Sequence, residues 1–244
     1  MSATAKPFGP AGARGVDLAG INPSGIAGVH PGSALREARE RESAGGLTEA
    51  AAIYQVAIEA ALESGEHAAR AEALRRLGVV RHRLHDDATA RELCASSHDA
   101  AAAVGDDVLA AQALNALAIF DMEAGACDAA RETFHRALAL GGSDAGLRAR
   151  IEQNLGVLAN IQGDLVAALG HYRRSLDAFR AGGDERNCAI VCNNLGLISA
   201  DRSLWDDAEQ YFRESLVCAE GVGDVHLRGL ALLNRTEVFI ARQR

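Results

Sequence analysis

Small and large apolar residues recur along this chain with a helical spacing, and a much longer period is laid over it. An Ala followed four residues later by a bulkier core-type residue appears as Ala50 and Tyr54, Ala90 and Cys94, Ala130 and Phe134, Ala168 and Tyr172, and Ala208 and Phe212. A spacing of four puts both members on one face of an α-helix. The Ala positions are 40, 40, 38 and 40 residues apart. Upstream of the last four, a Leu-small pair keeps the same phase: Leu77-Gly78, Leu117-Ala118, Leu155-Gly156 and Leu195-Gly196, at intervals of 40, 38 and 40. Two independent markers on one period of this length predict a solenoid of repeated units.

Each unit reads as two antiparallel helices. The small residue at Gly78, Ala118, Gly156 or Gly196 lets the first helix approach the second closely, with the second helix's Ala expected to receive it. Between the two helices stand Asp86, Asp128, Asp164 and Asp206, suited to accept the free N–H groups of a new helix. After the second helix comes Gly-Asp, at Gly105-Asp106, Gly183-Asp184 and Gly223-Asp224, where Gly can turn left-handed and Asp can cap the helix that follows. The units predicted are residues 34–68, 69–108, 109–145, 146–186 and 187–226, with a last first helix over 227–244.

Residues 1–32 do not share this pattern. They hold all four prolines and seven of the 25 glycines, too little apolar bulk to offset the entropy of ordering, which predicts a flexible leader. The chain carries a formal charge of -8; Lys6, Arg14 and Asp17 contribute +1, so the remainder carries -9. An acidic chain is a poor partner for nucleic acid. No apolar run approaches the roughly 18 residues that cross a bilayer, so no membrane partner is expected. Aromatics are only 4% and Ala is abundant, which favours closely packed helices over a sheet and an all-α fold class. The five cysteines, an odd number in helical segments, suit a reduced, cytoplasmic protein.

With these positions established, the sequence resembles the tetratricopeptide-repeat family, whose pattern has Leu-Gly in the first helix and Ala-x3-Phe in the second. The match is clearest at Asn154-Leu155-Gly156 with Ala168 and Tyr172, and at Asn194-Leu195-Gly196 with Ala208 and Phe212. It covers about residues 34–244, as five helix pairs and one further first helix. The period is near 40 rather than 34, Leu74, Leu114, Glu152 and Cys192 replace the aromatics of the first helix, and no repeat ends in Pro. Long repeats of this kind look like the arrays of bacterial regulators and kinesin light chains. The resemblance implies an α-solenoid of antiparallel helix pairs wound into a right-handed superhelix. It also implies a non-catalytic scaffold that binds a protein or peptide along a concave wall of first helices, or alternatively the sensory arm of a signalling protein with a cyclase or transcription output beyond residue 244.

Carried over residue by residue, the resemblance places Arg75, Arg76, Asn115, Gln153, Asn154, Asn193, Asn194 and Asn234 on or near that wall. Amides both donate and accept, so such a ladder can hold an extended backbone with little dependence on its sequence. Asn193→Ala is expected to weaken binding and leave stability nearly unchanged. A carboxylate clamp is met only in part: Arg75 and Arg76 fit, but Val79, Ile119, Val157 and Leu197 stand where an Asn is wanted. Those apolar positions suit a ligand that buries one hydrophobic stripe.

Several groupings imitate chemistry. Gly182-Gly183-Asp184-Glu185-Arg186 resembles the GGDEF string of diguanylate cyclases, but it falls at the recurring helix end. His82, His85, Cys94 and His98 have zinc-ligand chemistry, yet the repeat register sends Cys94 and His98 to the core, His82 to the groove and His85 to the turn. Cys188 and Cys192 share a helix face without a second pair, and the acidic pairs Asp86-Asp87 and Asp206-Asp207 sit at helix starts. No phosphate cradle GxxxxGK[ST], no HExxH and no GxSxG occurs. Neither enzymatic activity, nor a cofactor, nor a metal is expected. The last helix keeps Leu227, Leu230, Leu232, Leu233, Val238, Phe239 and Ile240, an apolar load that three arrangements satisfy: partial exposure, a homodimer through this helix, or a longer parent protein.

Overall fold

A computed structural model describes residues 29–242, which form eleven α-helices and no strand among the described residues. They are α1 (Pro31–Ser43), α2 (Leu47–Ser64), α3 (His67–Arg83), α4 (Asp87–Ala103), α5 (Asp107–Glu123), α6 (Cys127–Gly141), α7 (Ala145–Ile161), α8 (Leu165–Ala181), α9 (Glu185–Asp201), α10 (Trp205–Gly221) and α11 (Val225–Arg242). Of the proposed leader, residues 1–28 lie outside the described residues, and Pro31 and Gly32 belong to α1. Pro fits the first helical turn because its missing N–H would have no partner there.

The odd-numbered helices are the first helices of each pair. α1, α3, α5, α7 and α9 pack on α2, α4, α6, α8 and α10, and α11 packs on α10. First helices also meet one another from unit to unit, as α1–α3, α3–α5, α5–α7 and α9–α11, and among the described residues no pair of second helices packs to a comparable extent. Helices that converge on one side and diverge on the other give a curved slab whose inner wall is built from first helices.

The long period has a direct packing cause. Ala50, Ala90, Ala130, Ala168 and Ala208 are all fully buried, as are Tyr54, Phe134 and Phe212. The expected contact of small residue on Ala is seen in the second unit, where a Cβ at Gly78 would stand 3.0 Å from Ala90 O, but elsewhere the nearest neighbour is a different residue. A Cβ added at Gly156 would stand 2.7 Å from the Tyr172 ring, and one at Gly196 2.6 Å from the Phe212 ring. The glycines therefore make room for the bulky residue four positions after the Ala, and in the second unit Cys94 takes that place, 2.6 Å from such a Cβ at Gly78.

Caps and turns keep the same phase. Gly105, Gly183 and Gly223 have φ of +71°, +68° and +69°, the left-handed conformation expected of them. Asp106, Asp184 and Asp224 accept from Leu109, Asn187 and Leu227 N–H, as do Asp86 and Asp164 from Thr89 and Ala167. Asp128 and Asp206 are not caps. Register places Ala126 and Leu204 at those positions, and the two acids fall two residues inside α6 and α10, where they complement the positive helix end. The one 38-residue interval arises in α6, which has 15 residues where α4, α8 and α10 have 17.

Candidate functional site

The residues expected on the inner wall divide into two sets. Arg75, Arg76, Asn115, Gln153, Asn154 and Asn194 are half-buried, whereas Asn193 and Asn234 are only 6% and 8% exposed. The two buried amides bond each other, Asn234 Nδ2 donating to Asn193 Oδ1 at 2.9 Å across α9 and α11. Asn154 Nδ2 donates in the same way to Asn115 Oδ1 at 3.0 Å across α5 and α7. Each donor stands one residue before its unit's Leu-small phase and each acceptor two before it, so the ladder is partly a link between successive units. Asn193 is thus part of the packing, and its removal carries a stability cost that the sequence did not indicate. Asn194 lies beside the Tyr172 hydroxyl, whose pKa burial pushes up to about 12.

Next to the amides runs the apolar stripe: Val79, Ile119 and Val157 are half-buried and Leu197 is 40% exposed. At the N-terminal end of the wall the surface is cationic. Arg76 approaches Glu42 at 3.9 Å, Arg83 approaches the same carboxylate at 3.6 Å, and Tyr54 donates to it at 2.7 Å. Arg39 engages Glu72.

Other polar side chains hold the helices together. Ser97, Ser175 and Ser215 are buried and donate to the Ala71, Ala149 and Ala189 carbonyls at 2.7, 2.8 and 2.8 Å, tying second helix to first at one repeated position. Glu152, standing where the family pattern has an aromatic, is 8% exposed and accepts from His171 at 2.7 Å and from Arg174 Nε at 3.1 Å. Burial pushes its carboxyl up, but those two partners outweigh burial and hold it below its ordinary value.

The structure scatters the zinc-like set. His82 bridges Asp87 at 2.6 Å and Glu123 at 2.7 Å and lies against Phe120, joining α3 to α4 and α5 rather than presenting a free ring to the wall. His85 occupies the turn at φ +63°. Cys94 is buried as expected, but His98 is half-exposed beside Asp99; its repeat position is half-buried in the early units, as Ile58 and Leu138, and buried only later, as Leu176 and Leu216. Burial pushes the Cys94 and Cys192 thiols up to about 12 and that of Cys188 to about 11, which keeps them protonated and poorly nucleophilic. Among the described residues no group of three or more His, Cys, Asp or Glu is placed to hold a metal ion, and no helix is long and apolar enough to cross a membrane. On α11, Leu232, Leu233, Phe239 and Ile240 are 45%, 57%, 62% and 50% exposed, and an open cavity of about 620 Å³ lies between Glu209 and the α11 side chains Leu232, Arg235, Val238 and Phe239.

Comparison with known proteins follows the same geometry. The tetratricopeptide repeat family model matches residues 109–181. A search of curated protein sequences finds no significant match. Among solved structures, the chain is similar to BtubC (BKLC) from P. vanneervenii, with a TM-score of 0.62 at 19% identity over 81% of this chain and 92% of that one. It is similar to the Rap conjugation gene regulator of plasmid pLS20 in complex with the Phr* peptide, with a TM-score of 0.73 at 18% identity over 91% of this chain and 62% of that one. Aspartyl phosphate phosphatase F from Bacillus subtilis gives 0.72 at 12% identity over 84% and 54%. The chain therefore spans little more than half the length of the last two. At these identities the likeness is one of fold.

Proposed function

We propose that this chain, whose residues 109–181 match the tetratricopeptide repeat family model, is a non-catalytic scaffold holding a segment of a partner protein along its inner wall. The observation that carries this reading is the wall itself: first helices converge there, and half-buried Asn115, Gln153, Asn154 and Asn194 stand beside the apolar row ending in exposed Leu197. Amides can grip a backbone while the apolar row buries one stripe of side chains. That a similarly folded Rap regulator is complexed with a peptide supports peptide binding by this fold. Buried, protonated thiols give no support to a catalytic alternative.

Affinity capture from native lysate with the full chain tests it. A protein enriched by the wild type, lost with the double variant Leu197→Glu and Asn194→Ala, and retained by Val166→Glu on the outer helix α8, is the expected result. Equal loss with both variants, or with neither, would contradict it. We further propose that a second copy of the chain covers the apolar side chains of α11. Sedimentation velocity should show a concentration-dependent dimer that Phe239→Glu abolishes; a monomer at all concentrations would exclude it.

A further inference from the structure

His82 faces a carboxylate with each of its ring nitrogens. Nδ1 lies 2.6 Å from Asp87 Oδ1 at the start of α4, and Nε2 lies 2.7 Å from Glu123 Oε2 at the end of α5. A neutral imidazole has one N–H and one acceptor nitrogen, whereas an ionised carboxylate only accepts. Both contacts are hydrogen bonds, then, only when the ring carries two protons and a positive charge. The Phe120 ring lies against the imidazole with centroids 4.2 Å apart, a placement that also favours a cation over an uncharged ring.

The surrounding charges leave these two acids to His82. On its own helix, Arg81 approaches Asp86 at 4.0 Å, and Arg76 and Arg83 approach Glu42 of α1 at 3.9 and 3.6 Å. Arg91 of α4 engages Asp121 of α5. Helix α2, also packed on α3, forms no ion pair with it among the described residues. Asp87 and Glu123 likewise have no other cation within 4.0 Å among the described residues. Their side chains are 66% and 56% exposed, against 19% for His82. Exposed carboxylates are ionised well above about pH 4, so the ring is the member of the three that changes charge near neutral pH.

His82 follows Val79 by three residues on α3, and Glu123 follows Ile119 by four on α5. Each therefore stands about one turn beyond a member of the inner wall's apolar row, and the contact between them helps to fix the spacing of that row.

We infer that His82 is a proton-operated latch between the second and third units. Doubly protonated, it ties α3 to α4 and α5; on losing a proton it releases one carboxylate and loosens the wall at Val79 and Ile119. In the neutral ring one nitrogen turns its lone pair on an anionic oxygen, so attraction at that contact becomes repulsion. The stability it adds is present below the ordinary imidazole value of about 6.5 and is lost as pH rises through the ring's titration. The latch needs no partner protein and operates whether or not the wall holds one.

Two measurements on the full chain test it between about pH 5.5 and about pH 8, a range in which exposed carboxylates stay charged. In the first, NMR follows the His82 ring together with the side-chain carboxylate carbons of Asp87 and Glu123. All three groups should respond at one common midpoint; carbons that stay flat while the ring titrates would overturn the inference. In the second, amide hydrogen exchange is expressed relative to the unfolded chain at the same pH. Protection in the last turns of α3 and α5 should fall about fivefold as pH rises, the size of one exposed ion pair, while that of α9 stays level. His82→Gln, which does not titrate, should show the same protection at both ends of the range. A fall of equal size in the wild type and in His82→Gln, or no fall in the wild type, contradicts the latch. His85→Gln, in the turn that follows, should keep the wild-type pH dependence, and its loss there would assign the titration to His85 instead.

Discussion

Single side chains in this molecule answer to the repeat phase before anything else. Ala168 is fully buried beneath α7, so Ala168→Leu overpacks the pair and should cost about 1–3 kcal/mol in chemical denaturation, whereas Val166→Leu, two residues away and 78% exposed, should be silent. The cysteines divide by the same phase. Cys94, Cys188 and Cys192 are buried, and Cys127 and Cys218 are partly exposed, so a thiol reagent at neutral pH should label no more than two groups in the native protein and all five after denaturation. Labelling of Cys94 without unfolding would contradict the packing of the second unit. Glu152 sets a pH dependence whose sign follows from its depressed carboxyl. The stability it contributes is present above the unfolded carboxylate value near 4.3 and is lost as pH falls through the lower folded value. Denaturation followed from about pH 6 to about pH 3 should show a weaker acid dependence in Glu152→Gln than in the wild type.

At the scale of elements, the sequence was most legible where one residue type does one local job. Gly105, Gly183 and Gly223 followed by Asp announce a left-handed stop and a cap, and both are found. Asp128 and Asp206 misled because an acid in a first turn looks like a cap unless the register is known to the residue. The interval of 38 was plain in the sequence, but its location in α6 was not, since deleting two residues anywhere between Ala130 and Leu155 gives the same counts for both markers. The bonds joining Ser97, Ser175 and Ser215 to carbonyls were legible in principle: the three serines stand 78 and 40 residues apart, in phase with the repeat. The Asn115–Asn154 and Asn193–Asn234 bonds could not be read, because they depend on how closely successive first helices approach. Asn193→Ala leaves the buried Asn234 amide unpaired and should cost about 1–3 kcal/mol, while Asn194→Ala should cost little. Equal stability of the two variants would place both amides in solvent.

As a whole, the molecule is an array in which each helix pair buries its apolar face against the next, so the wall exists only because the units stack. Its apolar row runs along the first helices from α3 to α9, with the amides beside it from α5 onward. Site-specific photocross-linking around the solenoid tests the central claim most directly, with a photoreactive residue placed in turn at Val79, Gln153 and Leu197 on the inner wall and at Glu132, Val166 and Val217 on the second helices. The account predicts that a partner protein in native lysate cross-links to the inner positions and not to the outer ones. Partner cross-links confined to the second helices, or spread evenly over both faces, would contradict it.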